Sequence, residues 1–196
     1  MPVNKLILEF IHEHATTRAE RVFLTQPLGN GRVADYTWAQ TMDQARRMAA
    51  HLKGLGLAGS QIAILSKNCA HFFIAELAIW LAGGTTVAIF PTENADTIRF
   101  VLEHSDAKLL FVGKLDAWEQ QKAGVPDDLP CIAFPLAPPT GFKQWDDLVT
   151  RTEPLDGKPT RLADDVAMII YTSGSTGTPK GAMISFGAVT AVAQGY

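Results

Sequence analysis

A chain of 196 residues with 47% apolar and 19% charged content is globular by composition and long enough to bury a sizeable core. A formal net charge of −3 supplies no basic footprint, which argues against nucleic acid as a partner. The two cysteines, Cys69 and Cys131, lie far apart in apolar surroundings and read as buried core thiols, not as a disulfide or metal ligands.

The amino terminus places Glu9 and Glu13 inside its apolar stretch, so it does not read as a signal peptide, and no apolar run reaches membrane-spanning length. A cytoplasmic, reducing setting is the default expectation. Over residues 4–16, Leu6, Ile7, Phe10, Ile11 and His14 recur at helical spacing and predict an amphipathic helix. His12 and His14, two residues apart, face different directions on that helix and read as surface or core histidines instead of a metal pair.

Residues 21–25 and 33–36, separated by a Gly-rich turn, predict a hairpin. Thr37 then starts a helix. Gln40, three residues on, completes a capping-box pattern, and Met42, Ala45, Ala49 and Leu52 supply the apolar stripe until Gly54 and Gly56 end it. A strand at 61–65, a helix at 71–81 closed by Ala82-Gly83-Gly84, and a strand at 85–90 make a unit that should be parallel and right-handed.

The alternation continues with a helix at 95–104, a strand at 107–112, a helix at 115–123, a strand at 129–134, a helix at 144–152 and a strand at 163–170. The intervening prolines mark surface loops, since the segments beside them are too short to fold alone. The fold class is therefore α/β: an open, mostly parallel sheet with helices on both faces. Such sheets bind ligands beyond the carboxyl ends of their strands.

The last predicted strand leads into Tyr171-Thr172-Ser173-Gly174-Ser175-Thr176-Gly177-Thr178-Pro179-Lys180-Gly181. Glycines let backbone N–H groups approach an anion, hydroxyls can donate to phosphate oxygens or ligate Mg²⁺, and Lys180 adds a mobile charge. The combination suits a triphosphate or pyrophosphate. The commoner P-loop requires Gly immediately before the lysine and Ser or Thr immediately after it, opening a helix. Here Pro179 precedes Lys180 and Gly181 follows, so the chain should continue into another extended segment at 182–185. A plain solvent-exposed turn is the competing reading of this composition, and the apolar segments on both sides argue against it.

Thr172 to Gly181 resembles the signature loop of the adenylate-forming, AMP-binding superfamily, which includes acyl-CoA synthetases, peptide-synthetase adenylation domains and luciferases. The resemblance extends to Tyr36-Thr37-Trp38, Asn68, Pro91-Thr92 and the Ala95–Ile98 segment. Leu102-Glu103-His104-Ser105-Asp106-Ala107-Lys108 is similar to long-chain fatty acid–CoA ligases. The resemblance implies that residues 1–196 are the amino-terminal portion of an adenylation domain, truncated after the phosphate-binding loop and without a separate second domain.

It also implies a reaction. A carboxylic acid attacks ATP to give an acyl-adenylate and pyrophosphate, and the thiol of coenzyme A then displaces AMP. The implied binding residues are Thr172, Ser173, Gly174, Ser175, Thr176, Gly177 and Lys180, with Thr172 near Mg²⁺. No catalytic residue is assigned within the chain, and His104 takes a structural reading. Small-molecule partners are ATP, the acid and CoA, with fatty acid supply allowing a peripheral membrane contact and the oligomeric state left open. A long-chain fatty acid is the leading substrate; aryl acids, amino acids, a fatty acyl-AMP ligase or a catalytically silent nucleotide-binding module are the alternatives. The family pattern has a histidine where this chain has Phe186, so that histidine's part in an acid pocket is missing. The expected fragment should not complete adenylation alone.

Overall fold

The computed structural model describes residues 5–173 and 179–195, the Ser173 side chain excepted. After helix α1 (Ile7–Thr17), strands β1 (Val22–Gly29) and β2 (Arg32–Thr37) form a separate antiparallel hairpin. The main sheet then follows through α2 (Trp38–Gly54), β3 (Gln61–Leu65), α3 (Ala70–Leu81), β4 (Thr85–Ile89), α4 (Ala95–His104) and β5 (Leu110–Val112). The chain continues through α5 (Trp118–Gln121), a 3-10 turn, β6 (Cys131–Ala133), β7 (Lys143–Gln144), α6 (Trp145–Arg151), β8 (Val166–Ser173), β9 (Pro179–Ser185) and α7 (Phe186–Ala193).

The seven strands lie in the order β7-β6-β5-β3-β4-β8-β9, all parallel except β9, which runs antiparallel to β8. Side chains alternate along each strand and feed two cores. Ile62, Ile64, Phe111 and Ala167 pack with α1, α2, α3, α6 and α7 on one face. Ala63, Leu65, Val87, Val112 and Tyr171 pack with α4 and Trp118 of α5 on the other. Burial on both faces is the reason these strands read as nearly continuous apolar runs.

The Thr37 cap is present as expected. Its hydroxyl accepts from the Gln40 N–H at 3.2 Å, and Gln40 Oε1 accepts from the Thr37 N–H at 2.9 Å. Strand β5 begins three residues later than the apolar run suggests. Asp106 adopts φ 54°, and the Ala107 and Asp106 N–H groups return to the Leu102 and Glu103 carbonyls, so this stretch closes α4. The predicted helix at 115–123 is divided into the four-residue α5 and the 3-10 turn. Two elements have no counterpart in the sequence reading: the two-residue edge strand β7, and α7, whose N-cap Ser185 accepts from the Ala188 N–H at 3.2 Å.

Cys69 is buried, but Cys131 is only half-buried, which corrects the expectation of two buried thiols. The Cys131 thiol, pushed up to about 12 by burial, donates to the Leu129 carbonyl at 3.3 Å and stays protonated. His12 contacts Arg46, and His14 packs edge-on against Trp38. Among the described residues no group of three or more His, Cys, Asp or Glu side chains is arranged for a metal.

Candidate functional site

The carboxyl end of β8 carries the Thr172 side of the predicted binding segment. Antiparallel pairing sets Tyr171 opposite Gly181, Thr172 opposite Lys180, and Ser173 opposite Pro179. Directly opposed residues project to the same face of a sheet, so Thr172 and Lys180 form one cross-strand pair. Both are exposed. The pairing also explains why β8 reaches Ser173, three residues beyond the strand end read from sequence: β9 supplies the ladder partners. Gly174, Ser175, Thr176 and Gly177 lie outside the described residues, as does the side chain of Ser173.

Parallel pairing of β8 with β4 places this hairpin beside the end of β4 and the loop that follows it. A cavity of about 130 Å³ opens there, lined by Ile89, Phe90, Glu93, Thr97, Val101, Tyr171, Thr172 and Pro179. Its polar lining comes from Glu93, Thr97 and Thr172, all oxygen donors of the kind Mg²⁺ prefers. Thr172 therefore fits the expected Mg²⁺ position by donor type and exposure.

The other end of β8 is tied down by side chains the sequence reading did not single out. The Trp80 indole N–H donates to the Ala167 carbonyl at 2.8 Å, and the Thr85 hydroxyl donates to the Val166 carbonyl at 3.1 Å. Arg161 donates to the Gly84 carbonyl at 2.9 Å and to Asp165 at 3.1 Å, while its guanidinium lies 4.5 Å from the centroid of the Phe186 ring. The Leu162 N–H, and then Arg161, hold the Asp165 carboxyl below the usual carboxylate range. Phe186 is fully buried in this cluster, against Trp80. Its side chain belongs to the core.

Tyr171, 6% exposed, turns onto the α4 face, where its hydroxyl stands 2.7 Å from His104 Nδ1. Burial pushes the Tyr171 phenol up, so it keeps its proton. A structural role for His104 is therefore observed, and its partner, 67 residues away, is the residue preceding Thr172.

The family model for the AMP-binding enzyme matches residues 11–196. The chain belongs to the AMP-binding enzyme family. It is 30% identical over 188 residues to a long-chain-fatty-acid–CoA ligase of Mycobacterium bovis, covering 91% of this chain and 31% of that protein. It is 28% identical over 197 residues to a linear gramicidin synthase of Brevibacillus parabrevis, covering 93% of this chain and 3% of that protein. Among solved structures, a benzoate CoA ligase from Burkholderia xenovorans LB400 superposes with a TM-score of 0.79 at 20% identity, over 98% of this chain and 37% of that one. That likeness shows the fold. The AMP-binding chain thus corresponds to the amino-terminal part of adenylate-forming enzymes and spans about a third of the length of the mycobacterial relative. No helix among its described residues is long and apolar enough to cross a membrane.

Proposed function

We propose that the β8–β9 hairpin holds the β- and γ-phosphates of ATP in an AMP-forming acid–thiol ligase, and that residues 1–196 are the amino-terminal portion of its adenylation domain, with no separate second domain. The observation that carries this reading is the pairing of Thr172 with Lys180 at the carboxyl edge of the sheet, beside a cavity lined by oxygen donors. Lys180 brings positive charge to the departing pyrophosphate. Ser173, Gly174, Ser175, Thr176 and Gly177, which join the two strands in sequence, supply hydroxyl and backbone donors to the same phosphates.

In the reaction an acid carboxylate oxygen attacks the α-phosphorus, and the bond to the β-phosphate oxygen breaks with its electron pair leaving on pyrophosphate. The thiol sulfur of coenzyme A then attacks the acyl carbonyl, loses its proton, and expels AMP. Mg²⁺ bound through the Thr172 hydroxyl and phosphate oxygens would neutralise the charge that develops on the leaving group. This chain contributes positioning and electrostatic stabilisation, and none of its described residues acts as nucleophile. A long-chain fatty acid is the favoured substrate, on the named activity of the relatives at 30% identity. Peptide-synthase and aryl-acid relatives mark amino acids and aromatic acids as the competing classes.

Calorimetric titration of Mg·ATP into the 196-residue chain and into Lys180→Ala tests the reading. Binding by the first and its loss in the second is the expected result; equal behaviour of the two proteins overturns it. The chain alone should not catalyse acid-dependent exchange of labelled pyrophosphate into ATP.

A further inference from the structure

Three parts of the molecule meet at Tyr171. Its hydroxyl is 2.7 Å from His104 Nδ1, and the two rings are perpendicular with centroids 5.7 Å apart. On the same helix Phe100 stacks on His104, at 5.2 Å and 26°, and stands edge-on to Tyr171. On the sheet side Tyr171 faces Gly181 across the ladder. A Cβ on Gly181 would lie 3.2 Å from Tyr171 Cζ and 3.0 Å from Ile169 Cγ2. Gly181 has no left-handed backbone conformation to satisfy, so its missing side chain is a matter of space for the Ile169 and Tyr171 side chains.

The helix end of this contact is well anchored. Asn94 caps α4 by accepting from the Thr97 N–H at 2.9 Å, and the turn through Asp106 closes its other end. Ile98, Val101 and Leu102 are buried beneath it. Successive strand residues point to opposite faces, so seating Tyr171 on α4 fixes the direction in which Thr172 projects, and the ladder passes that setting to Lys180.

We propose that His104, Tyr171 and Gly181 form a strut between α4 and the β8–β9 hairpin, in which His104 is a positioning residue for Thr172 and Lys180. The inference rests on the phosphate-binding reading of that hairpin for its functional consequence, though the strut itself does not. It also gives the glycine after Lys180 a physical role. The contact between the phenol oxygen and Nδ1 is a single hydrogen bond that links two segments distant in sequence.

The test uses the 196-residue chain and the variants His104→Ala, His104→Asn, Tyr171→Phe, Gly181→Ala and the double variant His104→Ala/Tyr171→Phe. One readout needs no nucleotide: the backbone amide resonances of Thr172 and Lys180. His104→Ala should displace both, His104→Asn, whose amide stands near the position of Nδ1, should restore them, and His104→Ala should add nothing in the Tyr171→Phe background. The second readout is Mg·ATP affinity, which should fall about tenfold in His104→Ala and Tyr171→Phe, the scale of one hydrogen bond, and should also fall in Gly181→Ala, where the added Cβ crowds Tyr171 and Ile169.

Thr172 and Lys180 amides unmoved by His104→Ala, or additive effects in the double variant, would overturn the strut. If His104→Ala fails to fold, Tyr171→Phe, which removes one hydroxyl, carries the test through the Lys180 amide. Failure of the unsubstituted chain to bind Mg·ATP would remove the phosphate reading and leave the amide readout to decide the strut.

Discussion

Ser66 and Gly113 interlock at the carboxyl ends of β3 and β5. A Cβ on Gly113 would fall 2.2 Å from Ser66 Oγ and 2.6 Å from Phe134 Cδ2. Ser66 cannot swing aside freely, because its hydroxyl donates to the Lys67 carbonyl and accepts from the Lys114 N–H at 3.0 Å. The chain leaves β3 toward β4 and leaves β5 toward β6, which makes this the crevice where an open α/β sheet commonly takes a ligand. Here Ser66 and Phe134 occupy the space beside Gly113, and the cavity that Thr172 lines opens further along the sheet, at β4 and β8.

Gly113→Ala should therefore destabilise the fold by roughly 1–3 kcal/mol through overpacking. Urea unfolding would show a lower midpoint at an unchanged slope. A midpoint equal to that of the unsubstituted chain would mean that the crevice has room.

Arg161 should behave as a structural clamp. Its side chain is 10% exposed and joins the Gly84 carbonyl, Asp165 and the Phe186 ring. Removing it leaves those acceptors without their donor, and Arg161→Ala should cost about 2 kcal/mol. Arg161→Lys should recover little of this, since an ammonium cannot spread over three partners as the planar guanidinium does. Full thermal stability in the lysine variant would contradict the clamp.

Two buried groups on α3 set opposing pH dependences. Burial lowers His71 from 6.5 to about 4, in a site ringed by Tyr36, Phe134 and Trp145. It raises Glu76 from 4.5 to about 7, with Oε1 unpartnered. Between pH 4 and 6.5 the unfolded state binds more protons at His71, so that contribution is complete above 6.5 and is lost on acidification. Between pH 4.5 and 7 the folded state binds more protons at Glu76, so that contribution is complete below 4.5 and is lost as pH rises.

Each effect reaches at most about 3 kcal/mol, and their slopes cancel between pH 4.5 and 6.5. These two groups therefore nearly cancel in that window, and the lowered His12 and His51 leave the unsubstituted chain a rise in denaturant midpoint toward neutral pH. Glu76→Gln should make stability fall toward acid, and His71→Phe should make it fall toward neutral pH. Parallel profiles for all three proteins would refute the assignment of these slopes to His71 and Glu76.

Much of this architecture is legible because local rules and tertiary packing agree. The strand at 61–65 and the helix at 95–104 appear with the boundaries their periodicity predicts, and Thr37 and Gln40 cap α2 as their spacing requires. What escapes is nonlocal. Strand β7 has two residues and exists through pairing with β6, too little for a periodic signal. Helix α7 begins Phe186-Gly187, where glycine weakens the helical pattern; the packing of Gly187 near the Ala163 carbonyl accounts for its tolerance. Lys180 and Thr172 are both visible in the motif, but their opposition depends on the ladder. The bond from Tyr171 to His104 spans 67 positions and leaves no trace in any window.

Recognition of the pyrophosphate portion of ATP by the β8–β9 hairpin is the proposition on which the functional reading depends. Calorimetric titration of the chain with Mg·pyrophosphate and, separately, with AMP compares the two portions directly. Saturable binding of Mg·pyrophosphate, abolished by Lys180→Ala, and much weaker binding of AMP are the expected results. Equal affinity for both ligands, or pyrophosphate binding indifferent to Lys180→Ala, would contradict it.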